Sequence, residues 1–197
     1  MERRMLEARL VNLRALRSRR RQRRGFTLVE LAIVVVIVGV LAVVAVVGYR
    51  RYVQHAKISE AQTVISAIRI AQEDTRAERG SYVNVGASTY CPAGAGVGTH
   101  KFGWTPTCNG GVASWEALPV HVDGPVLFGY ATVSSTPAAP NWAEPPETSW
   151  VTWNSPSSNT PWYVVMAKCD LDGDPTNHTM LVGSSLSNAI FSHNEGL

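Results

Sequence analysis

The chain has 197 residues, 45% of them hydrophobic and 17% charged, with a formal charge of +3 and a pI near 8.9. Once a membrane segment is subtracted, that length holds one modest folded head rather than two. The basic pI is no footprint of nucleic-acid binding: ten of the eighteen basic residues precede Gly25, opposed only by Glu2 and Glu7, and from Phe26 onward eight basic and thirteen acidic side chains leave a formal charge of −5.

Residues 1–25 read as an Arg-rich leader directly abutting an apolar run. That run, Leu28 to Val47, is twenty residues whose only ionisable group is Glu30, and at ~1.5 Å per residue it spans a hydrocarbon core of ~30 Å. Arginines beside such a span hold the N-terminus in the cytoplasm and send residues 50–197 outward. A secretory signal peptide places its cleavage site after the apolar stretch. Here the plausible processing point, Gly25-Phe26, precedes it, so removal of the leader leaves the hydrophobic helix on the mature protein. Glu30 is the anomaly, since a carboxylate in lipid costs roughly 2.5–3.5 kcal/mol and asks for a partner.

RRGFTLVEL followed by this span resembles the N-terminus of type IV pilins and of the related pseudopilins of type II secretion. The resemblance implies that a membrane-embedded prepilin peptidase cuts after Gly25 and N-methylates Phe26. It also implies that the Glu30 carboxylate meets the amine of Phe26 in an adjacent protomer and so sets axial register. A misplaced subunit would leave that carboxylate unpaired, at about 3–5 kcal/mol by analogy with broken buried pairs. The implied function is that of a structural subunit of a type IV pilus, with a type II secretion pseudopilin or a minor tip pilin with an adhesin role as alternatives. The implied partners are identical or related subunits in a helical fibre, the peptidase, an inner-membrane assembly platform and the membrane itself. The implied location is the bacterial inner membrane in a single pass, then a pilus or a periplasmic pseudopilus. Where many pilins carry a proline near the end of the apolar segment, this chain has Val46-Val47-Gly48.

Beyond the membrane helix (26–48), residues 49–80 form an amphipathic continuation: Ile58, Ala61, Ile65, Ile68 and Ala71 recur at three- and four-residue spacing, while Lys57, Glu60, Arg69, Glu73 and Arg76 lie mostly off that face. Gly80 is the stop. From residue 81 to 197 the composition shifts to a globular head. Residues 126–134, 162–169, 179–184 and 188–192 read as strands. The expected fold is therefore α+β, pilin-like, with one helix from about Thr27 to Arg79 packed on an antiparallel sheet of about four strands. Residues 81–125 read as a connecting loop. Residues 135–161, which hold six of the eleven prolines, read as an exposed insertion between two strands.

Three cysteines make an odd count for an oxidising compartment. Cys91 and Cys108 both lie in loop and close a short ring, which favours them as the disulfide. Family members often staple the C-terminal part of the head, which keeps Cys108 to Cys169 as the alternative. Asp170, Asp172 and Asp174 alternate like calcium ligands, but Pro175 and Leu181 occupy positions where an EF-hand needs glycine and glutamate. The segment reads as a polar turn, with calcium as a weak alternative and no other cofactor expected. Trp142, Trp150 and Trp153 in the 135–161 loop are candidates either for gripping a ligand or neighbouring subunit, or for packing. The histidines are scattered, Gly94, Gly96 and Gly98 lack the strand-to-helix context of a phosphate loop, and no catalytic constellation is present, so the chain does not read as an enzyme.

Overall fold

The expected long helix is observed as α1, Leu28–Arg79, in a computed structural model that describes residues 25–92, 100–104, 115–137, 139–171, 173 and 177–195. Leader residues 1–24, Cys108, Asp172, Asp174, Gly94, Gly96 and Gly98 lie outside the described residues. The chain divides into two compact units, 1–47 and 48–197. In the first, helical residues 28–47 are all exposed, and their most apolar stretch has a mean hydropathy of 3.3, long and apolar enough to cross a membrane.

In the second unit the later half of α1 buries the stripe read from the sequence, Ile58, Ala61, Ile65, Ile68 and Ala71, together with Val64, Gln72 and Thr75. The helix ends at Gly80, whose φ of 76° suits a residue without a β-carbon and whose N–H donates to the Arg76 carbonyl at 2.8 Å. Against the stripe lies an antiparallel meander of β1 (Gly86–Cys91), β2 (Gly129–Ser134), β3 (Tyr163–Cys169), β4 (Thr179–Ser184) and β5 (Phe191–His193), in that spatial order. The α+β layout holds, but the sheet has five strands among the described residues where about four were expected. The added strand is β1, GASTYC, which lies in the stretch read as connecting loop. Its register on β2 slips between Gly86 and Cys91, and an irregular strand of small polar residues gives no alternating pattern to read. At the start of the first expected strand, 126–134, Val126 pairs instead with Phe102 in an isolated bridge.

Strand alternation sorts the sheet into two faces. Tyr130, Tyr163, Val165, Ala167, Cys169 and Leu181 join the helix stripe in one core. Ala131, Val164, Met166 and Val182 face the other way, where they pack with Trp162 and with partly buried Trp142, Trp150 and Trp153. The Pro-rich segment 135–161 is thus a third layer rather than a free insertion, since both faces of the central strands are apolar and the second face has to be covered by something.

Polar groups beside the stripe clamp the connecting segments. The Gln72 side chain, fully buried, donates to the Val83 carbonyl at 2.8 Å and accepts from the Val83 N–H at 2.9 Å, so its amide pairs like a strand partner; it also donates to Thr132 Oγ1 at 3.1 Å. Glu60 accepts from Lys101 Nζ at 2.5 Å and from the Leu127 N–H at 3.0 Å. Arg69 donates to the carbonyls of Ser187 and Asn188 at 3.1 Å each.

Helix and sheet approach closely at Gly183, where a β-carbon would stand 2.7 Å from Ile65 Cγ2 and 3.3 Å from Arg69 Cδ. Gly183→Ala is expected to destabilise the head by ~1–3 kcal/mol through overpacking. Combined with Ile65→Ala, it is expected to cost less than the sum of the two single changes. Denaturant unfolding of the three variants in detergent checks this; additive losses would mean the contact does not limit the packing.

Candidate functional site

The N-terminal motif is built on a helix start. Thr27 is the cap: its carbonyl accepts from the Leu31 N–H at 3.1 Å, and its hydroxyl accepts from the Glu30 N–H at 3.2 Å. Reciprocally, Glu30 Oε2 accepts from the Thr27 N–H and from the Thr27 hydroxyl, both at 2.9 Å. This is a capping box, in which residues three apart satisfy each other's orphan backbone donors. Glu30 therefore has a partner inside its own chain, one turn from Gly25 and Phe26, both of which are exposed. The sequence signal was the Thr-x-x-Glu spacing ahead of an apolar run, which reading Glu30 only as a buried charge passes over.

The head's cysteines differ in state. Cys91, fully buried at the end of β1, is disulfide-bonded, whereas Cys169, fully buried at the end of β3, is a thiol. Burial pushes the Cys169 thiol up to about 12, with the Asp170 and Glu60 carboxylates adding to the rise and Lys57 opposing it. Burial likewise raises Tyr163 to about 12, partly offset by a hydrogen bond from Arg69, and raises Tyr130, whose hydroxyl is buried with no hydrogen-bond partner among the described residues. Of the three aspartates, Asp170 is described: its Oδ1 accepts from the Gly173 N–H at 2.6 Å, the contact of a polar turn.

The tryptophans separate. Trp142 lies 4.7 Å from Trp162 and 5.4 Å from Trp153 between ring centroids, and Trp153 lies 6.5 Å from Phe191, so Trp142 and Trp153 belong to the layer over the sheet. Trp104 and Trp115, 5.2 Å apart, pack in the helix-side core with Tyr130. Trp150 is different. Its ring stacks on exposed His193 at 5.0 Å and 22°, and its Nε1 donates to the Glu147 carbonyl at 2.9 Å.

Glu147 itself is bound by Lys168 at 3.0 Å through both carboxylate oxygens and accepts from the Tyr90 hydroxyl at 3.4 Å. Sequence reading singled out neither Glu147 nor Lys168, because residues 21 positions apart meet only through strand pairing and the path of the covering segment.

Residues 20–46 match the family model described as the prokaryotic N-terminal methylation motif. Neither a curated protein nor a solved structure matches the chain.

The raised Cys169 thiol makes stability depend on alkaline pH. An unfolded thiol with an ordinary value of 9.0 loses its proton before the folded one at about 12. Its contribution is therefore fully present below pH ~9 and is lost as pH rises toward 12, at up to about 1.4 kcal/mol per pH unit. Thermal melts from pH 7 to 11 are expected to fall more steeply in the wild type than in Cys169→Ala. Equal slopes would place the alkaline loss on the buried tyrosines alone.

Proposed function

We propose that this chain, which carries at its N-terminus the prepilin signature shared by type IV pilins and pseudopilins, is a structural subunit of a type IV pilus. The observation that supports the reading most strongly is the coincidence of that motif with a fully exposed apolar helix beginning at a Thr27–Glu30 capping box. An apolar segment whose residues 28–47 are all exposed suits first a bilayer and then a bundle of identical helices.

In this reading the peptidase cuts the Gly25-Phe26 bond, where Gly25 offers no side chain to obstruct a protease cleft, and Phe26 receives one methyl on its new amine. The basic leader stays cytoplasmic until then and the head faces outward. An assembly platform extracts the mature subunit, whose helix packs among its neighbours.

The capping box gives Glu30 two tasks. Oε2 is held by Thr27, which fixes the carboxylate against the first turn. We assign Oε1 to the Phe26 amine of an adjacent subunit, so that both charges are neutralised where water is absent. The cap pre-orients the carboxylate, which lowers the cost of ordering it on assembly.

Mass spectrometry of the N-terminal peptide from membranes and from sheared surface material tests the processing step. A chain starting at Phe26 with one added methyl, present in the sheared fraction, is expected. Its confinement to the periplasm would move the assignment to a secretion pseudopilus, and an uncut chain would overturn the prepilin reading.

The charge pair has its own test. Both Glu30→Ala and Glu30→Gln are expected to be cleaved and inserted but to enter fibres poorly. Glutamine can still cap Thr27, so normal incorporation of Glu30→Gln would leave Glu30 as a cap alone.

We also propose Cys91–Cys108 as the head disulfide, since Cys169 is a buried thiol at the end of a central strand. Peptide mapping without reduction is expected to recover Cys91 joined to Cys108, and recovery of a bridge to Cys169 would refute the pairing.

A further inference from the structure

On the sheet face away from the helix stripe there is a groove of about 270 Å³. Its walls come from four stretches distant in sequence: Glu147 and Trp150 from the covering segment, Lys168 from the end of β3, His178 before β4, and His193 and Asn194 from the end of β5. Lys168 continues the row of Val164 and Met166, where alternation on a covered face asks for an apolar residue. Its ammonium, on a side chain only 21% exposed, is instead clasped by Glu147.

Glu147 holds a φ of 64°, a left-handed conformation that a residue with a β-carbon adopts under strain. In that position it makes three attachments at once, to Lys168, to the Tyr90 hydroxyl and, through its carbonyl, to the Trp150 indole. The Trp150–His193 ring pair is therefore fixed at the groove's wall. Trp150 packs, partly buried, at the margin of the layer that Trp142, Trp153 and Trp162 lay over the central strands, while its partner His193 is exposed.

We propose that this groove binds an uncharged pyranose unit of a glycan. A stacked ring pair offers an apolar platform for the C–H face of a sugar ring. The lining side chains supply donors and acceptors for its hydroxyls: a carboxylate, an ammonium, two amides and two imidazoles. Glu147 and Lys168 cancel in charge, so an anionic ligand would meet the carboxylate and a cationic one the ammonium. A neutral, hydroxyl-rich ligand uses both. The site lies wholly within the 48–197 unit and does not require fibre assembly, so its test stands apart from the pilus assignment.

The full chain, held in a zwitterionic detergent because sugar-headed detergents would compete, is titrated with methyl glycosides of glucose, galactose, mannose and N-acetylglucosamine. Tryptophan fluorescence and saturation-transfer NMR are the readouts. At least one glycoside is expected to bind with a Kd on the order of 1 mM. Trp150→Ala and His193→Ala are each expected to weaken binding about tenfold or more, while Trp153→Phe, in the covering layer, leaves it unchanged. His193 is exposed, so its variant keeps the fold, and a thermal melt verifies this. Absence of transfer to every glycoside at ~20 mM overturns the proposal. Binding indifferent to His193→Ala, or transfer to a charged peptide in place of any sugar, overturns it too.

Discussion

The head depends on one contact surface, the apolar stripe of α1 lying against the inward face of a five-stranded meander. At its centre Ile65 approaches β4 so closely that only a glycine fits at position 183. That approach brings Gln72 to Thr132 and Val83, Glu60 to the Leu127 N–H, and Arg69 to the turn between β4 and β5. The apolar stripe supplies the adhesion, which is non-directional. The polar clamps supply the register, because a buried amide or a carboxylate is satisfied in only one alignment and costly in others.

A second covered face is the other structural consequence. The central strands read as nearly continuous apolar runs, WYVVMAKC above all, which is what a strand buried on both sides looks like. The 135–161 segment answers that need with tryptophans laid over Val164, Met166 and Val182. Its many prolines reduce the entropy lost in ordering an irregular chain, which is how a segment without regular secondary structure serves as a layer. At the margin of this layer the packing gives way to a charge pair and a ring stack, and there the surface becomes chemically distinctive.

The two ends of the molecule divide the work by solvent. Residues 28–47 present apolar side chains in every direction and, among the described residues, bury none of them in their own unit, whereas the 48–197 unit encloses two cores. Glu30 sits at the start of the first region with its carboxylate already engaged by Thr27. The carboxylate of this apolar element is thus held in a pre-oriented form; in the proposed fibre, where neighbouring helices would bury it, that would favour one arrangement over its shifted alternatives.

The membrane-length helix, the N-terminal methylation motif at residues 20–46, the buried stripe from Ile58 to Ala71, the stop at Gly80 and strands β2, β3 and β4 were all legible in the sequence. Each rests on local periodicity or on residues adjacent along the chain. Strand β1 was not legible, because its small polar residues become a strand only by pairing with β2, and the role of the 135–161 segment was not, because what it covers lies on other strands. The same holds for the groove: Glu147, Lys168, His178 and His193 are scattered singly in the sequence and become a site only when the antiparallel order places the ends of β3 and β5 and the covering segment side by side. Sequence alone determined what is local, the helix and the motif it carries; only the tertiary structure decided that Trp142, Trp150 and Trp153 all pack, partly buried, over the sheet and that Trp150 also stacks on His193, because burial is a property of neighbours distant in the chain.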